Sequence, residues 1–166
     1  MFIQPAAGDA GGAVGAALAT HHIYFEKERI TADTDSMQGS YLGPEFHSID
    51  IERALREFRP IYTKYTDDEL FPKIAQILDE GNVVGWFNGR MEFGPRALGA
   101  RSIIADPRKI DMQKKLNLKI KYRESFRPFA PSVLAEYAND YFDINVTSPF
   151  MLMVQPINES LRHSVP

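Results

Sequence analysis

Cysteine is absent from the chain, which excludes disulfides, thiolate metal centres and cysteine nucleophiles at the outset. Apolar runs are short, and none approaches the length that spans a bilayer. The first residues carry no basic stretch followed by an apolar one, the form of a secretory signal. A cytoplasmic protein with no membrane partner is therefore expected. Gly-x-Gly-x-x-Gly is also missing, so a Rossmann dinucleotide site has no support. Gly94 and Gly99 have the spacing of a phosphate-binding loop, but Ala100-Arg101-Ser102 stands where Lys and Ser/Thr belong. A strand-like run then follows where such a loop needs a helix. His47 and His163 are isolated, and no Ser-His-Asp arrangement can be built on them.

Net charge is small overall, but the charges are unevenly placed. The 166 residues have a formal net charge of −3. Residues 90–127 hold 11 Lys or Arg against 4 Asp or Glu, which leaves 8 basic and 18 acidic residues elsewhere. One basic segment in a mildly acidic protein suits a local anionic ligand. A long nucleic acid is disfavoured, because it would call for a basic face and a higher pI. With 44% hydrophobic residues the chain has enough apolar material for a core.

Residues 88–102 are the most distinctive stretch. Three glycines (Gly89, Gly94, Gly99), Pro95 and the arginines Arg90, Arg96 and Arg101 lie between two short apolar runs, 83–87 and 103–105. Those runs are rich in β-branched and aromatic residues and predict buried strands. Glycines let the loop turn sharply and approach a ligand, and an arginine fork suits phosphate or carboxylate. A second basic stretch, 119–128, carries Lys121, Arg123 and Arg127. If 121–127 is extended, Lys121, Arg123, Ser125 and Arg127 share one side. For Arg96, Lys121 and Arg127 anion binding is preferred over a solvated surface, with a structural hold on Glu92 the main rival for Arg96. Lys114, Lys115 and Lys119 are read as solvated lysines.

The other elements follow from capping and periodicity. Small residues at 4–19 predict a helix with Asp9 as its N-cap, and Gly8, Gly11, Gly12 and Gly15 allow close approach. That stretch is read equally as a tightly packed helix or as a nucleotide or metal site. His21 and His22 fall near its end. Ser48 is the expected cap of a helix with Ile51, Ala54, Leu55 and Phe58 on one face, stopped before Pro60. Thr66 and Glu69 have the form of a capping box, although Pro72 implies a kink or a later start, and Gly81 marks the end. Asp106-Pro107 predicts an N-cap followed by proline at the first helical position, with Met112, Leu116 and Ile120 facing the core. Residues 129–134 and 150–154 predict strands around a short helix at 135–142, an α/β pattern.

Residues 89–108, from Gly89-Arg90-Met91-Glu92-Phe93-Gly94-Pro95-Arg96 to Ala105-Asp106-Pro107-Arg108, closely resemble the signature of the O-carbamoyltransferases of nodulation and antibiotic biosynthesis, the NodU/CmcH family. The match continues through Lys121-Tyr122-Arg123-Glu124-Ser125-Phe126-Arg127-Pro128, and Gln4-Pro5-Ala6-Ala7-Gly8-Asp9 resembles an upstream motif. The resemblance implies the tail of an actin/Hsp70-like (Kae1-like) domain at 1–28 and a linker at 29–65. The N-terminal part of a truncated YrdC-like domain, a twisted mixed sheet with flanking helices, is implied at 66–166. It implies small-molecule substrates, with ATP and carbamoyl phosphate joined into carbamoyl-adenylate and the carbamoyl group then passed to a hydroxyl. It assigns Arg96, Lys121 and Arg127 to catalysis, and Gly8, Gly11, Gly12, Glu92, Gly94, Arg101 and Arg123 to nucleotide or carbamoyl phosphate binding. Asp9 is assigned as a metal ligand. A homodimer is allowed. The alternatives are an RNA-related protein, because YrdC-like relatives serve tRNA modification, and a non-catalytic anion-binding fragment.

Full-length members of that family use Fe2+, held in part by a His-x-x-x-His motif, and His21-His22 lacks that spacing. One carboxylate rarely holds a transition metal without histidine partners. The chain as purified is expected to carry no stoichiometric iron or zinc. Elemental analysis checks this, and one metal per chain that disappears in Asp9→Ala would overturn it.

Overall fold

A computed structural model describes residues 4–31 and 33–162; His163 lies outside them. Five α-helices and a two-stranded antiparallel sheet make up its regular structure, a mixed α/β fold. Contacts divide the chain into two units. The first joins residues 1–57, 87–101 and 148–152, and the second joins 58–86, 102–147 and 153–166.

In the first unit, α1 spans Asp9–Ala19 and is capped by Gly8 rather than by Asp9. Gly8 has φ 129, a backbone state open to glycine, so the chain enters the helix one residue earlier than expected. Asp9 therefore lies in the first turn, where its charge meets the positive end of the helix dipole. A π-helical turn, Thr20–Tyr24, follows, and the Phe25 N–H donates to the Thr20 carbonyl. His21 and His22 fall in this turn, with His22 Nδ1 2.8 Å from the Lys27 carbonyl oxygen. Helix α2, Ser48–Phe58, has the expected bounds, but its first turn is closed by His47. The His47 carbonyl accepts from Asp50 and Ile51, and the Asp50 carboxylate takes the His47 N–H. Ser48 is thus the first helical residue and not the cap.

The second unit opens with α3, Asp67–Asp79. Thr66 and Glu69 form the capping box, so the helix starts where that motif places it and accommodates Pro72 in its interior. At the other end Asn82 N–H reaches the Ile77 carbonyl and Gly81 N–H the Leu78 carbonyl, with Gly81 at φ 81. This paired closure is the Schellman arrangement, which favours glycine at the left-handed position. Strand β1, Val83–Phe87, pairs with β2, Arg101–Ala105, and Trp86 lies against Phe71 of α3 with ring centroids 6.3 Å apart.

After β2 the expected N-cap does not form. Asp106 folds into a turn in which its carboxylate accepts both the backbone N–H and the guanidinium of Arg108. Local side-chain bonding of this kind competes with helix initiation. Arg108 also reaches Asp79 at 2.6 Å. Helix α4 starts only at Met112, runs to Lys115, and passes into a π-helical turn at Leu116–Ile120. Met112 and Leu116 are buried as expected, but the extra residue in the π turn swings Ile120 out to 42% exposure. Asn117 takes the inward place and is fully buried.

The remaining differences concern strands. Residues 129–134 and 150–154 form none, and 121–127 is bent, with Tyr122 at φ 49 and Arg127 N–H donating to the Glu124 carbonyl. Among the described residues the sheet stays two-stranded, not the twisted mixed sheet expected. Pro131 removes a ladder donor from the first of these runs. The short helix is present as a 3-10 turn at Ala135–Tyr137 leading into α5, Ala138–Tyr141. No described helix is long and apolar enough to cross a membrane.

Asn117 organises the bend. Its side-chain amide donates to the Ser125 carbonyl at 3.1 Å and the Arg127 carbonyl at 2.8 Å, while its Oδ1 accepts Arg123 Nε at 2.6 Å. Asn117→Ala strands these partners and should lower unfolding free energy by about 2–3 kcal/mol, measurable by urea denaturation.

Candidate anion site

The loop between β1 and β2 is built around one buried carboxylate. The Glu92 side chain has no solvent exposure. Its Oε1 accepts the N–H groups of Leu98 at 2.7 Å and Ala100 at 2.8 Å. Its Oε2 accepts Arg101 Nε at 3.1 Å. The other end of the Arg101 guanidinium donates to the Gly94 carbonyl and more loosely to that of Glu92. Residues 92–101 thus close into a ring around the Glu92 carboxylate. Burial pushes the Glu92 carboxyl up, but the bonds from Leu98, its own backbone, Ala100 and Arg101 outweigh it and hold the group below its ordinary 4.5.

Arg96 stands on the outside of this ring. It is exposed, and no carboxylate pairs with it among the described residues. Arg101, not Arg96, holds Glu92. Gly94, at φ 99, packs so tightly on Ala6 that a Cβ there would collide with the Ala6 Cβ. Gly11 meets the same stretch, since its Cβ would lie 2.7 Å from the Ala6 carbonyl oxygen. The first unit therefore sets Ala6, which shortly precedes Gly8 and Asp9, against Gly94 of the loop that carries Glu92, Arg96 and Arg101.

Lys121, Arg123 and Arg127 belong to the second unit. Arg123 is half-buried and spent on structure: it holds Asn117 and lies over the Phe129 ring, 4.8 Å from its centroid. Arg127 is exposed and paired with Glu124 at 2.7 Å. Lys121 is exposed and closes the π turn with its backbone N–H on the Leu116 carbonyl. Lys121 and Arg127 thus flank a bend fixed from inside by Asn117, a residue type that sequence spacing gave no reason to single out.

No group of three or more His, Asp or Glu is placed to hold a metal ion among the described residues. Asp9 is exposed, in the first turn of α1.

Residues 75–166, more than half of the chain, match the family described as carbamoyltransferase C-terminus. Over 98% of its length the chain is 60% identical to an uncharacterized protein of Synechocystis sp., of which it covers 27%. It is 40% identical to the nodulation protein NolNO of Sinorhizobium fredii, across 98% of this chain and 24% of that protein. To the 3'-hydroxymethylcephem-O-carbamoyltransferase of Amycolatopsis lactamdurans it is 31% identical, across 96% of this chain and 28% of the enzyme. The chain belongs to the carbamoyltransferase C-terminus family. It spans about a quarter of the length of these relatives.

The clamp gives a pH signature. Because folding depresses the Glu92 pKa, its contribution to stability is complete above 4.5 and is lost as pH falls through the folded value. Glu92→Gln should cost about 2–3 kcal/mol near neutral pH, and the gap to wild type should narrow in acid. Urea titrations across the acid range measure both.

Proposed function

We propose that this chain is part of an ATP-dependent O-carbamoyltransferase acting in the cytoplasm. Its 66–166 region has the role of a YrdC-like domain that forms carbamoyl-adenylate from carbamoyl phosphate and ATP. Residues 1–28 are the tail of a Kae1-like domain that passes the carbamoyl group to a substrate hydroxyl. Family membership supports the transferase class, and the name of the cephem relative, a 3'-hydroxymethylcephem-O-carbamoyltransferase, supports a hydroxyl acceptor. The observation that carries the reading is Arg96, an exposed guanidinium with no carboxylate partner among the described residues, mounted on a loop tied together by Glu92.

In this reading Arg96, Lys121 and Arg127 neutralise phosphate charge and stabilise the charge that develops as the adenylate forms. Arg96 offers a planar fork to two oxygens of one phosphate, whereas Lys121 supplies a point charge. Arg127 gives up Glu124 when the anion arrives, so its gain is smaller than that of an unpaired arginine. Gly8 and Gly12, with open space where a Cβ would stand, keep the backbone free of side chains where the nucleotide approaches, whereas Gly11 and Gly94 serve the packing on Ala6. Glu92 and Arg101 act by shaping the loop.

Arg96→Ala should weaken carbamoyl phosphate binding by about 1.5–3 kcal/mol, the scale of a lost charge-assisted bond. Isothermal calorimetry on the 166-residue chain reads this, and unchanged affinity removes Arg96 as the anchor. Tight, steeply salt-dependent RNA binding by the same chain would favour the tRNA-related reading instead.

A further inference from the structure

Residues 29–65 lie outside every motif that points to chemistry, yet part of this stretch is built into the loop. Ser40 carbonyl accepts the Phe93 N–H at 2.6 Å. Gly43 N–H donates to the Met91 carbonyl and Met91 N–H to the Pro44 carbonyl, both at 2.9 Å. Glu45 and Arg90 complete this antiparallel pairing, with the Arg90 guanidinium on the Gly43 carbonyl and the Glu45 carboxylate. Tyr41 then reaches the other limb of the loop, where its hydroxyl donates to the Leu98 carbonyl at 2.7 Å. Two adjacent residues, Ser40 and Tyr41, therefore grip the two ends of the arch 93–98, and Arg96 sits inside that arch.

The fit depends on small residues. Gly99, at φ 121, leaves room for the hydroxyl, since a Cβ there would stand 3.3 Å from it. Gly43 lies so close to Met91 that a Cβ would meet the Met91 carbonyl oxygen at 2.9 Å. Glu92 fixes the arch from within through the Leu98 N–H, while Tyr41 fixes the same residue from outside through its carbonyl. Leu98 is thereby held at both of its backbone polar groups, two residues after Arg96.

We infer that Tyr41 is a positioning residue for Arg96, acting on anion binding through the Leu98 carbonyl. The inference rests on the reading of Arg96 as an anion anchor. A guanidinium presented on a pre-ordered arch loses less freedom when it binds than one on a loose loop. Removing the hydroxyl should therefore weaken an anion that Tyr41 never touches.

The test compares wild type, Tyr41→Phe, Arg96→Ala, the double variant and the control Tyr65→Phe in the 166-residue chain. Carbamoyl phosphate affinity is measured by calorimetry, and backbone order at residues 95–98 by NMR relaxation without ligand. Tyr41→Phe should weaken binding by about five- to tenfold, leave little further effect once Arg96 is gone, and raise mobility in the arch. Tyr65→Phe should change neither. An additive double variant, or unchanged affinity in Tyr41→Phe, overturns the inference even while wild type binds. If wild type itself binds no carbamoyl phosphate, the functional reading is what fails. The hold of Tyr41 on the arch is then decided by mobility alone, and unchanged order at 95–98 overturns it.

Discussion

A carboxylate with no water around it must be satisfied by protein, and Glu92 imposes that condition on everything near it. Two backbone N–H groups and one guanidinium answer it. Each must come from the same short loop, so the path of residues 92–101 has little freedom left. A hydrogen bond to an ionised group is stronger than one between neutral groups, and an unanswered charge at this depth costs several kcal/mol. The buried Glu92 ties the loop at Leu98, Ala100 and Arg101, although its composition of glycine and proline suggests flexibility. Arg101 is consumed by this requirement, and Arg96 is not.

Where local chemistry decides, the sequence was easily read. The capping box at Thr66 and the glycine end of α3 depend on residues within a few positions of one another. The two strands form on the expected apolar runs, but none of their residues is buried. Errors arose where two local rules compete. Asp9 and Asp106 both have the residue type of an N-cap. Gly8 takes that place in α1 because its backbone state is closed to other residues, and Asp106 prefers the adjacent guanidinium of Arg108. Ile120 followed the α-helical period until a π turn added one residue to it. The strands expected at 129–134 and 150–154 rested on apolar content alone, which does not distinguish a strand from an irregular apolar run.

The candidate site was legible in part, and the division is physical. Arginines embedded among glycines announce themselves, so Arg96 stood out. Which arginine would be taken up by Glu92 was not legible, because nine positions separate Glu92 from Arg101 and only four from Arg96. Tyr41 and Asn117 gave no signal at all. Tyr41 acts across 57 positions, and Asn117 acts through backbone carbonyls that any sequence provides.

The sheet has a consequence of its own. Two paired strands satisfy one another along a single ladder, and each keeps an outer margin where N–H and C=O groups point away from its neighbour. Proline, an inward charge or a bulge commonly guards such a margin, and Val83-Val84-Gly85-Trp86-Phe87 contains no proline or charge. An isolated two-stranded ribbon is marginal in water, so β1 and β2 lean on the helix and turns beside them for their persistence. Among the described residues no further strand pairs with the outer edge of β1, and an extended peptide laid there would find a backbone template already straightened for it.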